Sequence, residues 1–167
     1  MEFNLIPIFS QELLKEKSIT EIMTCNQATD VYQLILSKED AIYLIDTRSD
    51  VLQATDRLEL GGGVISKLIL AFKDSPFISQ YNYRETIGEL IETFYYYKNE
   101  TQDEISDDDL IDLMKALFDK RCYGSIELLQ GRDLESIARD IRYDIAPARS
   151  GMLDDEMDEE WEDEINE

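Results

Sequence analysis

Apolar residues recur along most of the chain at the three- and four-residue spacing of amphipathic helices. Ala41, Leu44, Ile45, Val51 and Leu52 follow this spacing. The same pattern returns in the segments Val64–Phe72, Ile87–Phe94, Leu110–Phe118 and Leu134–Ile141. The alternation of apolar and polar positions that is typical of strands is nearly absent. The pattern predicts an all-α fold, a compact single domain of about six or seven short helices.

Capping signals set several helix boundaries. Ser37 with Asp40 resembles a capping box, Asn82 with Glu85 completes another, and Ser106 with Asp109 predicts a further helix start. At the N-terminus, Ser10 predicts the start of a helix to about residue 17, and a second short piece covers residues 19–25.

Two other segments define helix boundaries less clearly. The apolar segment Val31–Leu36 is compatible with a brief extended stretch or with a helix end. Gly124–Ser125 predicts the start of a short helical turn, and Gly131 its C-terminal stop. The last predicted helix reaches about Tyr143.

The final segment has a different composition. Residues 150–167 contain ten acidic residues and no basic residue, which is typical of disordered interaction tails. Leu153, Met157, Trp161 and Ile165 recur every four residues and would share one side of a helix. We therefore predict a helical domain over residues 1–145 and an acidic tail over residues 146–167, disordered or conditionally helical. Chance apolar spacing in a solvated tail is the alternative.

Charge narrows the set of partners. The formal net charge is −22, and this excludes unassisted binding to nucleic acid or to an anionic membrane surface. Residues 120–149 are locally basic, and Arg132, Arg139 and Arg142 can share one helix face. These three arginines are candidates for binding an anion or for docking the acidic tail.

The residues of common catalytic and metal sites are scarce. The chain has no histidine, which removes the most frequent general base and metal ligand. Cys25 and Cys122 form no Cys-x-x-Cys motif, and we expect two reduced, buried thiols. No signal peptide or membrane span is evident. We expect a cytoplasmic protein without catalytic residues, metal or cofactor.

The turn Gly61–Gly63 precedes a predicted helix and invites comparison with phosphate-binding loops. Neither the P-loop nor the dinucleotide-binding spacing is present. We interpret the glycines as a flexible turn, with a weak anion site at the helix N-terminus as the alternative. We expect Arg48, beside an apolar stripe, to snorkel or to pair with a carboxylate, with binding of an anionic ligand as the alternative.

Tyrosines are concentrated in one region of the chain. Tyr81, Tyr83, Tyr95, Tyr96 and Tyr97 are candidates for a partner surface, because three consecutive tyrosines on a helix cannot all face one core. At least one of the consecutive three should be exposed. The alternative is a set of core and boundary tyrosines.

Four stretches resemble a family of short bacterial proteins of unknown function, found mostly in clostridial-type Gram-positive anaerobes. They are residues 58–63, 74–81, 94–100 and 131–135, and the resemblance covers about residues 1–143. The family brings no activity, cofactor or catalytic residue to this chain. The resemblance implies a bacterial cytoplasmic protein in which the tail is an appendage.

These observations favour a non-enzymatic protein that binds another protein, through the tyrosine region or through the tail. One alternative is an acidic mimic of nucleic acid that occupies the groove of a basic DNA-binding protein. Another is a sensor or enzyme that takes a small molecule or anion at the Gly61–Gly63 turn, together with Arg48.

Overall fold

The structure, a computed structural model, describes residues 5–59 and 63–144, with side chains over residues 12–59 and 63–143. Every regular element in these ranges is helical, and the all-α prediction is confirmed. The helices are α1 (Leu5–Thr24), α2 (Asn26–Thr29), α3 (Lys38–Ala54), α4 (Gly63–Phe72), α5 (Tyr83–Glu100), α6 (Asp107–Lys120), α7 (Ile126–Leu128) and α8 (Leu134–Asp144). A 3₁₀ turn follows α2, and a π turn over Leu129–Asp133 joins α7 to α8.

Helix α5 lies at the centre of the fold. It contacts α3, α4, α6, α7 and α8, and its residues Ile87, Leu90 and Phe94 are fully buried. Gly88 allows α3 to approach closely, since a Cβ atom there would lie 3.1 Å from Cε2 of Tyr43. Because the apolar stripes of the neighbouring helices converge on α5, the buried residues form one continuous core.

Two predicted helix starts are confirmed by their capping hydrogen bonds. The Ser37 hydroxyl accepts from the Asp40 amide at 3.0 Å, and the Asp40 carboxylate accepts from the Ser37 amide at 3.0 Å, which completes a capping box. At α6, the Ser106 hydroxyl accepts from the Asp109 amide at 3.1 Å. Both caps depend only on residues within one helical turn, so sequence alone located them.

The prediction of two short N-terminal helices is wrong. Helix α1 is continuous from Leu5 to Thr24, and Ser10 lies inside it. Pro7 is compatible with this earlier start, because the first turn of a helix leaves its amides without intrahelical partners. No glycine or proline interrupts the chain between Pro7 and Thr24, so nothing terminates the helix at residue 17.

The predicted capping box at Asn82 is also wrong. Helix α5 begins at Tyr83, but the Asn82 side chain makes no capping hydrogen bond. Its Oδ1 accepts from the Ser79 amide at 2.9 Å, and its Nδ2 donates to the Phe77 carbonyl at 3.1 Å. Asn82 therefore closes the loop before the helix, and this use of its amide group excludes the cap.

Gly131 does not end a helix. It lies inside the π turn, which runs directly into α8, and its φ angle is not positive. A C-terminal stop needs the left-handed conformation that glycine permits. The predicted stop fails because this backbone stays helical.

The ambiguous segment Val31–Leu36 begins in a helical turn and continues as irregular chain. Residues Asp30–Tyr32 form the 3₁₀ turn, Gln33 takes a left-handed conformation with φ 63°, and residues 34–37 have no regular secondary structure. Within residues 5–59 and 63–144, no helix combines the length and apolar character needed to cross a bilayer.

Candidate functional site

The tyrosine region divides into buried and exposed side chains. Tyr83, Tyr95 and Tyr97 are almost fully buried, whereas Tyr81 is 98% exposed and Tyr96 is 52% exposed. The three buried tyrosines belong to the core and cannot contact a partner directly. The prediction that they form part of a partner surface is therefore wrong. The expectation that one of Tyr95, Tyr96 and Tyr97 stays exposed is confirmed for Tyr96.

Two loops that hydrogen bonds join carry exposed apolar residues. We call Val31, Tyr32, Ile35 and Tyr81 the loop patch; Val31 is 78% exposed, and Tyr32 and Ile35 are also exposed. Gln80 joins the two loops that carry these residues. Its Oε1 accepts from the Ile35 amide at 2.9 Å, and its Nε2 donates to the Ile35 carbonyl at 2.8 Å.

A second amide side chain binds the same irregular segment. Asn26 Oδ1 accepts from the Leu36 amide at 2.9 Å, and Asn26 Nδ2 donates to the Leu36 carbonyl at 3.0 Å. The neighbouring Leu34 is buried in the core, and its carbonyl accepts from the Thr29 hydroxyl. These contacts satisfy backbone polar groups of the irregular segment that carries Ile35.

Arg48 lies in a buried cluster at the start of α4. It is 4% exposed, and its Nη1 lies 3.4 Å from Glu59 Oε1. The same oxygen accepts from the Val64 amide at 3.1 Å, and Glu59 Oε2 accepts from the Tyr95 hydroxyl. The carboxylate of Glu59 thus occupies the helix N-terminus that the anion hypothesis assigned to an external ligand.

The environment of this cluster raises the pKa of Tyr95 and restricts position 63 to glycine. Burial, together with the hydrogen bond and charge of Glu59, raises the pKa of Tyr95 well above its ordinary value. Gly63 has φ +45°, and a Cβ atom there would lie 2.5 Å from Glu59 Oε1. Close approach of the carboxylate therefore requires glycine at this position. Gly61 and Gly62 lie outside the described residues.

A groove lies between α5 and the segment formed by α7, the π turn and α8. Its volume is about 680 Å³, and we call it the tyrosine groove because Tyr96 and Tyr97 line it. Three acidic residues, Glu92, Glu127 and Glu135, also line it. Such a volume falls within the usual range of ligand pockets, and π turns occur frequently at functional sites.

Two hydrogen bonds fix the π turn against α5. The Tyr97 hydroxyl donates to the Gln130 carbonyl, and Gln130 Nε2 donates to the Thr93 hydroxyl. Burial, followed by the charge of Glu135, raises the pKa of Tyr97 above its ordinary value. The hydroxyl therefore stays protonated and remains a donor at neutral pH. A Cβ atom added at Gly131 would meet no atom within 4 Å, so the groove is open there.

The candidate arginines do not form one free basic face. Arg132 lies in the π turn and donates to Asp133 at 2.7 Å. Arg142 donates to Glu100 at 2.8 Å and to Glu135 at 3.4 Å. Arg139 is exposed and makes no ion pair with any residue that the structure describes. Nearby carboxylates thus neutralise two of the three.

The cysteines are free and buried, as predicted. Burial, followed by a hydrogen bond to Asp133, raises the pKa of Cys122 to about 11, and burial likewise raises the pKa of Cys25. Both thiols are therefore protonated at neutral pH and poorly nucleophilic. Among residues 5–59 and 63–144, no cluster of acidic and cysteine side chains is arranged to hold a metal ion. The tail candidates Leu153, Met157, Trp161 and Ile165 lie outside the described residues.

Sequence reasoning did not identify several of these features. Gln80, which organises the loop patch, carries no sequence signal, because its partner is a backbone group 45 residues away. Glu92, Glu127 and Glu135 were indistinguishable from the other acids of a chain with 38 acidic residues. The ambiguity of Val31–Leu36 was the one available signal, since apolar residues without a regular period mark irregular structure.

Comparison with known proteins places the chain in a family. A family model described as a family of unknown function, DUF6323, matches residues 21–147, which is more than half of the chain. No curated protein and no solved structure matches the chain. The resemblance to an uncharacterised family is thereby confirmed, and the chain belongs to the DUF6323 family of unknown function.

Proposed function

We propose that this chain is a non-enzymatic cytoplasmic protein that acts by binding another protein through the loop patch. The single observation that carries the proposal is the hydrogen-bonded support of exposed apolar side chains on two loops. Gln80 binds the backbone of Ile35, and the next residue, Tyr81, is 98% exposed.

Rigid apolar side chains in water favour association. Burying Val31, Tyr32, Ile35 and Tyr81 against a partner removes apolar surface from water, at about 25 cal/mol per Å². Because the Gln80 and Asn26 amides already order the loops, binding loses little further conformational entropy. Exposed tyrosines are also enriched among the residues that dominate binding energies.

The charge of the chain limits the kind of partner. With a net charge of −22, two copies repel each other, so self-association through the loop patch is disfavoured. A different protein with an apolar contact surface and a neutral or basic rim fits better. Such a partner also suits the acidic tail, the other contact region that the sequence proposes.

The test compares two matched double variants in affinity capture from native cytosol. Val31→Ser with Tyr81→Ser removes one aliphatic residue and one tyrosine from the loop patch. Leu58→Ser with Tyr123→Ser does the same at exposed positions elsewhere. Thermal unfolding first establishes that both variants keep the fold.

We expect wild type and the Leu58/Tyr123 variant to retain the same protein at high salt. The amount that the loop-patch variant captures should fall about tenfold or more. Equal retention by both variants contradicts the assignment of the site. A captured DNA-binding protein that salt releases from all three chains would instead support mimicry of nucleic acid.

A further inference from the structure

The tyrosine groove carries negative charge that the described protein only partly neutralises. Of its three carboxylates, Glu135 pairs with Arg142 at 3.4 Å. Glu92 and Glu127 make no ion pair within residues 12–59 and 63–143. A ligand in this groove therefore gains electrostatic energy if it is positively charged.

The arrangement of these carboxylates selects against a metal ion. No group of three possible ligands in the described part of the chain is close enough to hold one. A metal ion needs oxygen ligands that converge at 2.0–2.6 Å, whereas a longer organic cation contacts separate carboxylates one charge at a time. The groove volume of about 680 Å³ also exceeds what a single ion would fill.

Aromatic side chains favour an alkylammonium group. Tyr96 is half-exposed, and its ring stands edge-on to that of Tyr97, with centroids 4.8 Å apart and an interplanar angle of 87°. A ring face attracts an ammonium group and also covers the methylene groups of an alkyl chain. The groove is therefore lined by aromatic rings as well as by carboxylates.

Hydrogen bonds within the protein join the two walls of the groove. The hydrogen bonds from Tyr97 and Gln130 hold the π turn against α5. Gly131 leaves the space beside the turn unfilled. The φ angle of Gly131 is not positive, so the backbone does not require glycine there. Packing does not require it either, because a Cβ atom would meet no neighbour.

We infer that the tyrosine groove binds a linear alkyl polyamine, with its ammonium groups on Glu92 and Glu127 and its methylene groups against Tyr96. This assignment is independent of the loop patch.

The experiment titrates spermidine into the full chain and follows the backbone amide signals by NMR, with magnesium chloride as a cation without an alkyl chain. Spermidine is expected to shift the signals of Tyr96 and Gly131, and magnesium is not. Spermidine shifts spread evenly over the acidic surface, or the same groove shifts with magnesium, would overturn the inference.

Matched variants separate the groove from general attraction to an acidic protein. Glu92→Gln with Glu127→Gln removes two charges from the groove. Asp50→Asn with Asp112→Asn removes two exposed charges elsewhere. We expect affinity to fall about tenfold in the groove variant and less than about twofold in the other. Equal losses in both variants overturn the proposal.

A third variant tests the site without changing charge. Gly131→Met places a side chain in the open space of the groove, where a Cβ atom meets no neighbour, and the fold is checked by its amide spectrum. Spermidine affinity is expected to fall by about tenfold. A folded Gly131→Met protein that binds spermidine as the wild type does would show that the ligand lies elsewhere.

Discussion

Removing the Tyr95 hydroxyl tests the buried cluster at the start of α4. The hydroxyl donates to Glu59 Oε2, and Tyr95 is 2% exposed. A hydrogen bond to a charged group contributes about 1.5–3 kcal/mol. Because the Glu59 side chain is 23% exposed, water replaces part of the lost contact, and we expect Tyr95→Phe to lower the free energy of unfolding by about 1.5 kcal/mol.

Glu59→Gln removes the charge opposite Arg48. Removing one partner of a fully buried ion pair costs about 3–5 kcal/mol. The loss here is smaller, about 2 kcal/mol, since the contact of 3.4 Å is long and Glu59 is partly exposed. If Tyr95 and Glu59 interact, the double variant loses less than the sum, with a coupling energy of about 1 kcal/mol.

Urea unfolding of the two single variants and the double variant measures this coupling. Tyr96→Phe is the matched control, because the neighbouring hydroxyl is on a half-exposed side chain, and its effect should stay within about 0.5 kcal/mol. Additive losses for Tyr95→Phe and Glu59→Gln would refute the cluster, since independent side chains have no coupling energy.

A pH series adds a second check. Burial, and then Glu59, raises the pKa of Tyr95 above the ordinary tyrosine value of 10.0. A pKa that is higher in the folded state means that the stabilisation is complete below the unfolded pKa and is lost as pH rises through the folded value. The difference between wild type and Tyr95→Phe should therefore be constant from neutral pH to about pH 10, and should shrink above it.

The remaining predictions concern two glycines, two buried groups and the tail. Gly63→Ala should destabilise the protein by about 1–3 kcal/mol, because φ is +45° and Glu59 obstructs the Cβ atom. Gly131→Ala should instead stabilise it by up to about 1 kcal/mol. Urea unfolding measures both changes. Burial raises the pKa of Asp133, but hydrogen bonds from Arg132 and Cys122 outweigh burial, and the net shift is downward from 3.8. Asp133→Asn should therefore be less stable than wild type at neutral pH, with a difference that begins to shrink below about pH 3.8 and is lost as pH falls through the lower pKa of the folded state. Cys122, with a pKa of about 11, should react with a thiol reagent at pH 8 only after unfolding. Deleting residues 150–167 should change the free energy of unfolding by less than about 0.5 kcal/mol; a larger loss would show that the tail stabilises the helical domain.

Short-range signals account for the part of the fold that the sequence predicted. The cap of α3 joins Ser37 to Asp40 within one turn, and the apolar stripe of α4 needs only its own spacing to identify the buried face. Asn82 shows the limit of such signals. It has the residue type of a cap, but its amide group closes the preceding loop instead, and the choice between these partners depends on the loop geometry.

The candidate sites depend on contacts between distant segments. The Gln80 side chain reaches Ile35 across 45 residues, and the tyrosine groove forms only when residues 126–135 fold against α5. Sequence periodicity indicates that a helix has an apolar face, but it does not identify the neighbour. In an acidic chain, it also does not show which carboxylates lie close together.

The arginines bear on the hypothesis that the acidic tail docks on the protein itself. The sequence left two docking surfaces open, the arginines of residues 132–142 and a partner protein. Arg132 is paired with Asp133, and Arg142 with Glu100 and Glu135, so of these three arginines only Arg139 makes no ion pair with a described residue. One exposed ion pair contributes at most about 1 kcal/mol, which is too little to hold a segment with ten acids. The carboxylates of the tyrosine groove repel the tail as well. A basic partner surface is therefore the better electrostatic match for the tail.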